Sequence, residues 1–175
     1  MRQKIAWLAL VVGQLLCSSV FAGDEENRLL AVFFGRFSSY IELPDRSAHQ
    51  FVITLIDENP FGNLLTELYR GKLINGKPVE IRHVTRVEDI GQSDILFVTL
   101  VNPRSRQEAI AYASKASILS ISTSMGFAES GGIIQLDFLQ QHTRIKINHG
   151  AAVKSNIKIG APLLSLATVI RGEAP

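Results

Sequence analysis

Seven polar side chains follow directly on three apolar runs. Asp57, Glu58 and Asn59 come after FVITLI, Asn102 after ILFVTLV, and Ser122, Thr123 and Ser124 after ILSI. If those runs are strands of one open sheet, their carboxyl ends border the crevice where α/β proteins bind ligands. Carboxylates, hydroxyls and an amide in that place could hold a small polar ligand. Asp57, Glu58, Asn59, Ser122, Thr123 and Ser124 are therefore the candidate ligand-binding residues. The same residue types also close turns and cap helices, and Asn59 and Ser124 fit that use equally well.

Templates for bond-breaking chemistry are absent from the sequence. There is no G-x-S-x-G elbow, no H-E-x-x-H, no phosphate loop of the G-x-x-x-x-G-K type and no G-x-G-x-x-G. The single cysteine, Cys17, directly follows an apolar N-terminal run and falls within the expected leader, so no thiol nucleophile is available beyond it. His49, His83, His142 and His149 are isolated from one another. His142 and His149 flank one predicted strand but have no patterned carboxylate partner, which makes a poor metal signature. No cofactor, metal or catalytic residue is expected, and the chain reads as a binding protein.

The elements that must position these residues alternate between strand and helix. A helix is predicted over 25–41, ended by Pro44, because the residue before a proline is pushed out of helical geometry. On its wheel Leu29, Phe33, Phe37 and Tyr40 fall together, with Leu30, Phe34 and Ile41 widening the apolar arc. Strands are predicted over 50–56, 78–84, 94–100 and 117–121, and helices over 61–69 and 104–114. Asn59-Pro60 and Asn102-Pro103 fit the starts of the two helices. Such alternation implies a mostly parallel sheet with helices on both faces.

Beyond Gly131-Gly132, two β-biased runs, 133–138 and 144–148, form a late antiparallel hairpin expected at a sheet edge. Pro162, Leu163, Leu166, Ala167 and Ile170 then suit one closing helix. The fold class is α/β, a single domain with a mixed, mostly parallel sheet.

The N-terminus carries an address. Arg2 and Lys4 precede the apolar run Ile5–Leu16, and Val20-Phe21-Ala22 places small residues where a signal peptidase reads. Residues 1–22 read as a cleaved secretory signal peptide and 23–175 as the mature domain. The apolar run falls short of the roughly 20 residues a spanning helix needs, so no membrane insertion is expected after cleavage. Arg2 and Lys4 leave with the leader, and the mature part keeps sixteen basic and sixteen acidic residues. Without a basic stripe, nucleic acid is not an expected partner. Without a mature cysteine no disulfide forms, so stability must come from a hydrophobic core.

Several segments, in order, resemble the YfiR-like family of bacterial periplasmic proteins. LLAVFFGRFSSYIELP is similar to the family's opening amphipathic helix, with Leu43-Pro44 where an aromatic-proline pair is common. FVITLIDENPFG resembles its first strand and D-x-P-F-G turn, and NGKPVEIRHV and SDILFVT its next two strands. SILSISTSMGFAESGGIIQL matches the strand, G-F-A segment and double glycine, and RIKIN and LLSLA complete the series. Ile145 and Lys146 stand where many members have Phe and Glu.

The resemblance implies a periplasmic α/β domain, often a homodimer, without demonstrated catalysis. Its implied role is to bind the periplasmic portion of an inner-membrane diguanylate cyclase and hold it inactive until an envelope signal relieves the inhibition. Cyclic-di-GMP and biofilm formation then rise. Some members carry redox-sensitive cysteine pairs, which this mature chain lacks. Phe33, Phe34, Phe37 and Tyr40 are the candidate partner-binding residues, because aromatic anchors dominate interface energetics. A wholly buried arc is the competing reading. A small-ligand sensor or carrier using the strand-end crevice is the alternative function.

Overall fold

The computed structural model describes residues 19–44, 48–139 and 142–170. The predicted leader lies outside them except for residues 19–22, which open the first helix. That helix, α1 (Ser19–Phe37), is followed by β1 (Ile41–Glu42), β2 (Phe51–Ile56), α2 (Leu64–Tyr69), β3 (Leu73–Ile74) and β4 (Lys77–Val84). Next come β5 (Ile95–Val98), α3 (Pro103–Lys115), β6 (Leu119–Ser122), β7 (Ile134–Leu139) and β8 (His142–Asn148). The chain closes with α4 (His149–Lys154), β9 (Lys158–Ile159), α5 (Ala161–Leu166) and β10 (Thr168–Ile170).

Eight strands form one sheet in the order β10-β8-β7-β6-β5-β2-β4-β3. β4, β2, β5, β6 and β7 are parallel to one another in turn. All residues of β2, β5 and β6 are buried, as expected for strands covered on both faces. Numbered by first appearance, the five parallel strands run 2-1-3-4-5, a doubly wound order. The chain leaves β2 for β4 on one side and returns to β5 on the other. The topological switch point therefore lies between the carboxyl ends of β2 and β5.

Alternation along the strands sends side chains into two cores. Phe51, Ile53, Leu55, Ile95, Phe97, Leu119 and Ile121 face α1, α2 and the C-terminal helices. Ile56, Leu96 and Val98 face the opposite layer, where Ala109, Ile110 and Ala113 of α3 and the buried Phe127 cover them. Each large apolar side chain so removed from water contributes roughly 1.5–3 kcal/mol before the entropy of ordering it. The helices thus cover both faces, as the strand–helix alternation implies.

Local rules account for the boundaries. Asn102 Oδ1 accepts from the amides of Arg104 (2.9 Å) and Ser105 (3.2 Å), capping α3 ahead of Pro103. Asn75 and Gly76 have φ of 51° and 75°. That is the left-handed pair a tight β3–β4 hairpin requires.

Elsewhere long-range pairing overrides the local pattern. The predicted helix over 25–41 ends at Phe37, because Ile41 joins a short ribbon with Ile159. Tyr40 consequently lies in a turn. The single closing helix is two elements: α5 stops at Leu166, and Ile170 belongs to β10, which pairs with β8. The late hairpin is also not the edge of the sheet, since β10 covers β8.

Candidate functional site

At the switch point the structure holds a cleft of about 250 Å³. Glu26, Asn27 and Leu30 of α1 form one wall, Glu58 and Pro60 of the β2–α2 loop another. Thr99, Thr123 and Ser124 follow β5 and β6 and border the remaining side, with Phe138 adding aromatic surface and the buried Phe97 lying beneath. No basic side chain is among these lining residues.

The floor is rigid. Phe34 of α1, Phe61 of the β2–α2 loop and Phe97 of β5 close a triangle of edge-to-face rings, with centroids 5.7, 5.6 and 5.4 Å apart. Such contacts contribute about 0.5–1.5 kcal/mol each beyond burial. Asn27 Nδ2 donates to the Pro60 carbonyl at 2.9 Å and ties α1 to the loop opposite.

Glu58 is carried by an unusually constrained loop. Asp57 before it has φ of 81°. That conformation costs about 1 kcal/mol or more for a residue with a Cβ. The Asp57 amide donates to the Val84 carbonyl at 2.9 Å, and its own carbonyl meets His83 Nε2 at 2.6 Å. Thr99 Oγ1 donates to the Ile56 carbonyl (2.7 Å) and accepts from the Glu58 amide (2.8 Å). The Glu58 backbone is thus fixed from the end of β5 while its side chain stays exposed.

Of the six candidate ligand residues, the cleft gathers Glu58, Thr123 and Ser124. Asn59 is engaged by its own turn, its Oδ1 accepting from Phe61 and its Nδ2 donating to Gly62, both at 3.0 Å. Ser122 is fully buried; its hydroxyl donates to the Val98 carbonyl (2.6 Å) and accepts from the Ser124 amide (3.0 Å). Asp57 is half-buried and serves the loop through its backbone. Asn102 is the cap of α3.

The cleft also contains Glu26, Asn27, Phe97, Thr99 and Phe138, which sequence reasoning does not assign to it. Thr99 is legible in principle, because the apolar run of β5 stops being a strand at Val98, one residue before it. Nothing local to Glu26 or Phe138 signals that they face the strand ends.

The aromatic arc of α1 divides sharply. Phe34 and Phe37 are 0% and 2% exposed, so they are core side chains and cannot touch a partner in the folded state. Phe33 is half-buried and stacks on Phe37 at a centroid distance of 5.5 Å. Tyr40 is 44% exposed. Leu29 and Val32 are exposed beside Phe33, and 29, 32, 33 and 36 share one helical stripe. That second stripe, which the sequence pattern alone does not single out, is apolar except for Arg36.

Tyr69 of α2 fastens the middle of α1. Its hydroxyl donates to the Ala31 carbonyl and accepts from the Gly35 amide, both at 2.7 Å. It thereby bridges a pair that an undisturbed helix joins directly. A Cβ on residue 35 would sit 2.8 Å from that oxygen, which explains the mid-helix glycine. Burial raises the Tyr69 pKa, and the bond from Gly35 opposes the rise in part.

His142 opens the extended β8 and His149 follows its last residue. The six strand residues between them set their backbones roughly 20 Å apart. No group of three or more metal-binding side chains occurs among the described residues. No helix among them is long and apolar enough to cross a membrane.

The family model described as YfiR/HmsC-like matches residues 27–168, nearly the whole described domain. No curated protein matches. Among solved structures, a conserved domain protein from Vibrio cholerae O1 biovar El Tor is similar with a TM-score of 0.54 and 14% identity. The likeness covers 82% of this chain but only 59% of that one. The ABC domain in complex with L-Trp from Streptococcus pneumonia gives a TM-score of 0.49 at 15% identity, over 69% of this chain and 56% of that one. The chain belongs to the YfiR/HmsC-like family.

Proposed function

We propose that this YfiR/HmsC-like chain is a periplasmic regulatory protein that inhibits an inner-membrane signalling protein, a diguanylate cyclase, by protein–protein contact. The family match over residues 27–168 carries this reading. A bound inhibitor lowers cyclase output only through higher affinity for the inactive conformation than for the active one. The contact surface is the outer stripe of α1, Leu29, Val32 and Phe33, together with Tyr40 in the turn that follows, which offer apolar area without opening the core.

The test pairs purification with a cellular readout. A tagged chain should retain a membrane diguanylate cyclase through detergent extraction, and deleting its gene should raise cyclic-di-GMP. Val32→Asp with Tyr40→Ala should lose the cyclase while keeping a wild-type circular dichroism spectrum. A deletion strain with unchanged cyclic-di-GMP and no retained cyclase would sink the reading.

A further inference from the structure

The switch-point cleft has a chemical bias that the inhibitory role does not require. Glu26 projects from α1 and Glu58 from the constrained loop after β2, so two carboxylates border the cleft from separate elements. The half-buried Phe138 supplies ring surface, Thr123 supplies an exposed hydroxyl, and no lysine or arginine is among the described lining residues. An anionic ligand would meet two like charges with nothing to neutralise it. A cation would gain charge-assisted hydrogen bonds from the carboxylates and attraction to the Phe138 ring.

We infer that this cleft is a binding site for a small organic cation, an ammonium or guanidinium group carried on an apolar body. The position is the one where doubly wound sheets take their ligands, just outside the carboxyl ends of the strands at the reversal of strand order. The cleft encloses about 250 Å³. That is below the roughly 300–1,000 Å³ typical of drug-sized ligands and limits the occupant to a small molecule. The Phe34–Phe61–Phe97 cluster packed beneath the cleft and the Thr99-held backbone of Glu58 position the groups before binding. Such preorganisation lowers the ordering cost of association.

2-Phenylethylammonium is a suitable probe, with phenylacetate as its anionic counterpart. Titration calorimetry and thermal melting on the whole isolated protein should show the ammonium binding and raising Tm, the anion doing neither, and affinity falling with added salt. E26Q and E58Q should each weaken binding about tenfold, the effect expected for losing one charged partner. Both variants should melt within about 2 °C of the parent when no probe is present.

Equal binding of the anion, no binding of the ammonium, or unchanged affinity in both variants overturns the site. No membrane partner takes part in these measurements, so their failure leaves the regulatory reading standing, and failure of that reading leaves the site standing.

Discussion

The cleft at the strand ends and the polar network of Ser120, Gln135 and Asn148 around Ala128 and Ile133 both hold polar side chains, yet they use them in opposite ways. In the second region the polar groups close on the protein itself. Asn148 Nδ2 donates to the Ala128 carbonyl at 2.8 Å, and its Oδ1 caps α4 by accepting from Ala151 at 2.9 Å. Gln135 Oε1 accepts from the Ala128 amide at 3.3 Å, and Ser120 Oγ accepts from the Ile133 amide at 3.0 Å. Even Glu129 is engaged: Lys146 Nζ approaches it at 2.6 Å, and that hydrogen bond holds its carboxyl below the usual range. Around the cleft, Glu26, Glu58 and Thr123 are exposed. Buried polar groups with satisfied partners specify one packing; exposed ones bordering a cavity are left to recognise something else.

The contrast makes ranked predictions. Gly132→Ala should cost most, because its Cβ would collide with the fully buried Phe127 ring. Overpacking of that kind puts the loss at about 3 kcal/mol. Urea unfolding measures it, and a loss below about 1 kcal/mol would mean the ring relocates easily. Asn148→Ala removes the cap of α4 and the shorter of two hydrogen bonds to the buried Ala128 carbonyl, leaving it the Gly131 amide at 3.2 Å. Together these losses should cost about 2 kcal/mol. Hydrogen exchange of α4 amides should rise with it. Glu58→Gln should change stability by no more than about 0.5 kcal/mol. If Glu58→Gln proved as damaging as Asn148→Ala, the division between the two regions would collapse, and the cleft would be structural.

Much of this architecture is legible because buried strands are continuous apolar runs. FVITLI, ILFV and the hairpin after Gly131-Gly132 fall within a residue or two of their expected limits. The departures arise where partners are distant. Ile41 has helical spacing, but its ribbon partner Ile159 is over a hundred residues away. Ile170 continues the period of α5, but β8 captures it as a strand. α4, with six residues, and β9, with two, are too short to announce a period.

The site divides in the same way. Glu58, Thr123 and Ser124 follow strands and can be named from the sequence, whereas Glu26, Asn27 and Phe138 enter the cleft only through tertiary packing. Wheel position likewise groups Phe34 and Phe37 with Phe33 and Tyr40, while burial separates the first pair from the second.

The Tyr69 bridge to α1 has one further consequence. Because the Gly35 amide donates to a side chain of α2, its exposure to solvent is governed by contact between the two helices. Fraying of α1 alone does not release it. Deuterium uptake at this one amide is therefore a clock for the separation of α2 from α1, set apart from the exchange of its helical neighbours.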